Sequence, residues 1–135
     1  MNRISIHRRA QQLLPAEIET SGLLQLGMSP DQMAGIVLES IFGGDAGGIV
    51  VLRLANRTAA AIQRQGLVFF AQVQQARAGL PRHAPARYGH WRQVRGGAGQ
   101  GAAGTSPMYA AATLDAQSWL AVLPVERLVL YGWMH

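Results

Sequence analysis

Apolar residues in the first third of the chain recur between strong stop signals, which divide them into helical segments. The first segment runs from about Ile4 to Leu14 and ends at Pro15, which has no N–H for a continuing helix. A second, Ala16 to Leu26, is closed by Gly27. Ser29-Pro30-Asp31-Gln32 then combines a capping hydroxyl, a proline at the first helical position, an acid in the first turn and a Gln three residues after the cap. This predicts a helix from Pro30 to about Phe42, with Met33, Ile36, Val37, Leu38 and Ile41 as its inward stripe and Gly43-Gly44 as its stop.

The apolar stretch after Gly48 fits two periods. At 100° per residue, Val51, Ala55, Ala59, Ile62, Phe69, Val73 and Ala76 share one face, while Arg53, Arg57 and Arg64 gather nearly opposite. Two sets segregating on one period favour a single long helix ending before Gly79 and Pro81, at a cost of about 1 kcal/mol for Gly66 in its interior. The alternative is strand, helix, strand, with Ile49–Leu54 and Leu67–Val73 flanking a helix over Asn56–Gln65.

From Gly79 to Ser106 periodicity gives way to a Gly/Pro/Arg-rich loop. Ser106-Pro107 reads as a second helix start, predicting a helix from Met108 to about Val122, and Val125–Trp133 is a strand or a helical turn. The expected fold class is therefore mainly α: a small helical domain over residues 1–135, with one long central helix and a flexible loop at 79–106. The alternative is α+β with strands near 49–54, 67–73 and 125–131.

Charge adds a candidate function. The chain carries a formal +5, and all 12 of its cations are Arg. A basic balance points to a polyanionic partner, although a chain with no Lys and abundant Ala and Gly also has the stamp of a GC-rich coding sequence. No cysteine is present, which excludes disulfides and thiolate metal sites. The N-terminal segment carries Arg3, Arg8 and Arg9 and then meets Pro15, Glu17 and Glu19, so no secretory signal is readable. Arg53, Arg57 and Arg64 interrupt the most apolar region, which argues against a membrane span and makes a cytoplasmic location the expectation.

Residues 82–95 hold Arg82, Arg87, Arg92 and Arg95 with Tyr88 and Trp91, and no acid. Guanidinium groups pair with phosphates and aromatic rings stack on unpaired bases, so this mixture suits a nucleic-acid backbone, DNA or RNA. The Arg53, Arg57 and Arg64 stripe of the long helix adds a second cationic surface. Residues Glu19–Ile36 have helix-turn-helix spacing, but Asp31 at the head of the second helix would repel phosphate, and a plain helical hairpin fits better.

Gly99-Gln100-Gly101-Ala102-Ala103-Gly104 matches a dinucleotide-binding pattern by letter, without the preceding strand and following helix that give the pattern meaning. Gln93-Val94-Arg95-Gly96-Gly97-Ala98 resembles the pyrophosphate-binding signature of acetyl-coenzyme A-dependent acetyltransferases over those six residues alone. His7, His83, His90 and His135 are dispersed and have no metal-ligand spacing. The sequence thus predicts no catalytic residues, metal or cofactor. It points to a nucleic-acid-associated accessory protein that contacts phosphate with little sequence choice. The alternative is a structural or assembly subunit that oligomerises through apolar helix faces, with Leu67, Val68 and Phe70 as its surplus apolar surface.

Overall fold

A computed structural model describes residues 3–26, 46–78, 85–95 and 107–134. Among these residues the dominant element is one six-stranded antiparallel sheet, and the only α-helices are two ten-residue pieces. Helix α1 (Arg3–Gln12) leads into β1 (Thr20–Leu26). Strand β2 (Ala46–Leu54) is followed by α2 (Asn56–Gln65) and a 3₁₀ turn (Gly66–Phe70). Strands β3 (Arg92–Arg95), β4 (Pro107–Ala112), β5 (Ser118–Leu123) and β6 (Leu128–Met134) complete the sheet in the order β1-β2-β6-β5-β4-β3. The chain thus crosses from β2 to the far edge and returns by a meander, closing β6 against β2.

The expectation of a mainly helical domain is overturned, and the long central helix does not form. Its first part is β2, a central strand flanked by β1 and β6 whose Val50, Val51 and Leu52 are all buried. A strand buried on both faces reads as a continuous apolar run, and such a run fits a helical period as readily as a β period. The break comes at Ala55, which is extended (φ −64°, ψ 145°) and donates its N–H to Glu19 O at 2.9 Å. At the other end Gly66 takes φ +61°, so it terminates α2. The strand-helix-strand alternative matches the chain over β2 and α2. It fails at 67–73, where a 3₁₀ turn and irregular chain stand in place of a strand.

Two further predicted helices are strands. Ala16–Leu26 contains β1, so the helical hairpin at Glu19–Ile36 does not form, and Met108–Val122 is the β4–β5 hairpin. Alanine favours helix locally. In β4 and β5, however, four consecutive residues of each strand are buried, and small Ala110, Ala111 and Ala121 fit a sheet packed on both faces. The turn between them is held by Thr113, whose hydroxyl donates to Asp115 Oδ1 at 2.6 Å, and Asp115 also accepts the Gln117 N–H at 3.0 Å. Of the remaining expectations, Val125–Trp133 holds β6, and the Gly79–Ser106 loop contains β3 among its described residues. The helix expected at Pro30–Phe42 lies outside the described residues.

Register assigns the two faces. Val50, Leu52 and Leu54 of β2, Val129 and Tyr131 of β6, Leu120 and Val122 of β5, and Tyr109 and Ala111 of β4 point to one side. There they join Ala10, Leu14, Ala59, Ile62, Phe70, Val73, Tyr88 and Trp91 in a single core. The opposite face carries Val51, Met108, Ala110, Trp119, Ala121 and Leu130, also buried. On that face Trp119 lies over Gly132, where an added Cβ would come 2.2 Å from the indole.

Candidate functional site

The stretch that carries β2 to β3 builds the most distinctive surface. After the 3₁₀ turn, Val73 and Ala76 are buried, and residues 74–76 run antiparallel to 86–88. Ala76 N–H donates to Ala86 O at 2.9 Å and Tyr88 N–H to Gln74 O at 2.7 Å. Residues 87–89 in turn lie beside the end of β4, with Gly89 N–H on Ala112 O at 2.8 Å and Leu114 N–H on Arg87 O at 2.8 Å. Residues 74–76 therefore form a short row that covers 86–88, is itself bridged at Ala76 to Pro15, and at its other end turns away toward Phe70.

Where the two segments diverge, a groove of about 460 Å³ opens. Phe70 and Trp91 form its aromatic floor, stacked at a centroid distance of 4.3 Å, and Tyr109 packs on Phe70 at 5.1 Å. Leu67 and Val68 stand on its rim, 42% and 72% exposed, and Gln74 and His90 are its polar lining. Leu114, also well exposed, lies next to Gly89 and extends the apolar rim. The lining holds no acid, while exposed Arg87 and Arg92 lie just before and just after the Tyr88–Trp91 segment.

The structure divides the sequence-predicted site residues. Tyr88 and Trp91 are core residues, 3% and 8% exposed. The Tyr88 hydroxyl donates to Leu13 O at 2.8 Å, and burial pushes its pKa upward, with the nearby Tyr131 adding to the rise. The Trp91 Nε1–H donates to Val73 O at 2.7 Å, and one face of its ring is taken by Phe70. In this arrangement their rings serve packing and are not open platforms for bases.

The arginine stripe is split as well. Arg57 and Arg64 are exposed, seven residues apart on α2, and so share one outward face. Arg53 alternates with the core residues Leu52 and Leu54 and so points to the other side of the sheet. Arg92 is paired with Ala110 and points to that side too, but four strand spacings away, about 19 Å. Arg95 ends β3 opposite Pro107. Arg82 lies outside the described residues.

One cation that the sequence did not single out has a clear structural task. Arg77 donates from Nη1 to Gln11 O at 2.7 Å and from Nη2 to Ile18 O at 2.8 Å and Ala16 O at 3.3 Å, while its backbone N–H reaches Leu14 O at 2.9 Å. The five-donor fork thus ties the last turn of α1, at Gln11, to the irregular chain that leads from it to β1, at Ala16 and Ile18. Burial lowers the Arg77 pKa, offset by Glu19 and Glu17. Its contact is with carbonyls 59 to 66 residues away, so no local pattern could announce it.

His7 accepts or donates a 2.8 Å hydrogen bond with Thr20 Oγ1, and its pKa is lowered by burial and then by the charge of Arg77. No group of three or more His, Asp or Glu side chains able to hold a metal occurs among the described residues. No helix among them is long and apolar enough to cross a membrane. Compared with protein-family models, curated proteins and solved structures, the chain finds no match.

Proposed function

We propose that this protein is an assembly subunit without a catalytic role, working through contacts with other protein chains. One observation carries the reading: Leu67 and Val68 are held exposed beside a groove whose floor is the Phe70–Trp91 stack. Apolar side chains at a surface normally scatter singly, and a cluster around an aromatic-floored concavity is the usual form of a protein contact site. Catalysis has no comparable support, because among the described residues that line the groove His90 is the one titratable side chain.

A photo-crosslinking residue in place of Val68, in the native cell, tests this. A discrete protein-sized adduct is expected from position 68 and not from position 57 on α2. An adduct of twice the chain mass identifies the partner as a second copy. Adducts to nucleic acid alone, or none from position 68, would sink the reading.

A second reading rests on Arg57 and Arg64, which make no ion pair among the described residues and face outward together. They support contact with a nucleic-acid phosphate backbone. Affinity for a random oligonucleotide should then fall steeply with salt, and Arg57→Ala with Arg64→Ala should reduce the slope by about 2. An unchanged slope rejects it.

A further inference from the structure

We propose that the groove and the β3 edge beside it receive an extended, acidic segment of a partner protein, which places one apolar side chain against the exposed Leu67 and Val68, above the Phe70–Trp91 floor; this rests on the protein-binding reading above. Three observations converge on that occupant.

The first is the edge of β3, beside which the described residues supply only the start of a further row. Strand β3 is the last strand of the sheet, paired only with β4 among the described residues. The row alongside it is begun by residues 74–76, bridged at Gln75 to Arg87, and this row ends where the groove opens. Beyond that point, Arg92–Arg95 present an edge that no described residue pairs, to which an added strand can bond through its main chain. Such a strand continues the line of 74–76 and passes over the groove.

The second is shape. Small ligands need a concavity that encloses most of their surface. Here the rim residues Leu67 and Val68 are themselves largely exposed, so the groove is a shallow notch suited to one side chain of a longer segment.

The third is charge. Among the described residues the groove's lining contains no acid, and Arg92 points to the opposite face of the sheet, the face to which the residues on either side of an apolar anchor in an added strand would also point. A second copy of this chain would bring another net +5 toward the same cation, whereas carboxylates flanking the apolar anchor would meet it favourably.

Panning a displayed library of random peptides against the full chain tests this directly. Enriched peptides are expected to carry a bulky apolar residue flanked by Asp or Glu, and to slow amide hydrogen exchange in residues 92–95. Val68→Glu and Arg92→Glu should each weaken them by about tenfold or more, with Arg57→Glu having little effect. Val68 and Arg92 are exposed, so both variants should fold, which their unfolding midpoints will show.

Enriched peptides that lack acids, or that ignore Arg92→Glu, overturn the acidic partner and leave the protein-binding reading standing. Preferential capture of a random oligonucleotide, lost with Arg92→Glu but not with Val68→Glu, overturns it as well. If no peptide is enriched while position 68 still crosslinks to a protein, this proposal alone fails. If both are blank, the reading beneath it fails too.

Discussion

Residues 67–70 and the 87–92 segment meet at the same groove, which Leu67, Val68 and Phe70 line from one side and Gly89, His90 and Trp91 from the other, yet they spend their apolar side chains differently. In the 3₁₀ turn, Leu67 and Val68 face solvent and only Phe70 is fully buried. Across the groove, an Arg-rich segment hides Tyr88 and Trp91 and exposes Arg87, His90 and Arg92. The lesson is that local polarity does not decide burial here. Tyr88 and Trp91 each have a polar tip that finds a backbone carbonyl inside, Leu13 O and Val73 O, so a polar stretch can contribute core residues. Leu67 and Val68 sit on a tight turn after α2, where only part of the chain can face the core at once.

That contrast can be broken most severely at Trp91. Trp91→Ala removes a buried indole, its stack on Phe70 and a hydrogen bond, and should lower stability by about 4 kcal/mol, read from a urea midpoint. A loss below about 1 kcal/mol would show that the ring is not part of the core. Arg77→Ala is the next largest, at about 3 kcal/mol, because it leaves the carbonyls of Gln11, Ala16 and Ile18 without their charged donor. Arg77→Lys should recover only part, since an ammonium cannot span the same fork.

Tyr88→Phe keeps the ring and loses one bond to Leu13 O, for about 1 kcal/mol. Val68→Glu, on the exposed side of the same groove, should stay within about 0.5 kcal/mol of the parent while removing partner binding.

The smallest expected effect is a pH dependence from His7. Its folded pKa lies below the ordinary 6.5 because burial and the Arg77 charge disfavour the imidazolium. The unfolded chain therefore binds the proton more readily, and stability is fully present above about pH 6.5 and declines as pH falls through the folded pKa. Denaturation midpoints of the parent and His7→Gln should converge in shape above that pH and separate below it. Identical acid profiles would remove His7 from the account.

How much of this was legible beforehand varies by element. The end of α1 before Pro15 follows from proline chemistry alone, and the termination of α2 rests on Gly66 adopting a positive φ. The apolar run of β2 was visible but its period was not, since a strand covered on both faces loses the alternation that identifies it. The β4–β5 hairpin reads as a helix because Ser106-Pro107 has the form of a helix start, and only pairing with β3 and β6 shows the segment to be two strands. At the candidate site, Leu67, Val68 and Phe70 stood out as surplus apolar residues, whereas the burial of Tyr88 and Trp91 and the reach of Arg77 depend on contacts between distant segments.

By itself, then, the sequence determined the chemistry this protein has to work with: a chain without thiols, an all-arginine positive charge, Arg57 and Arg64 at a spacing that shares a helix face, and surplus apolar residues at Leu67, Val68 and Phe70. The tertiary structure decided where each group goes. It placed Arg53 on the sheet face opposite the α2 core, drew Tyr88 and Trp91 inward, committed Arg77 to the chain at and just after the end of α1, and set a groove beside the β3 edge. The reason is physical: side-chain chemistry is a property of the residue, but burial, pairing and exposure depend on segments that meet across stretches of chain, as 67–74 and 89–91 do at this groove.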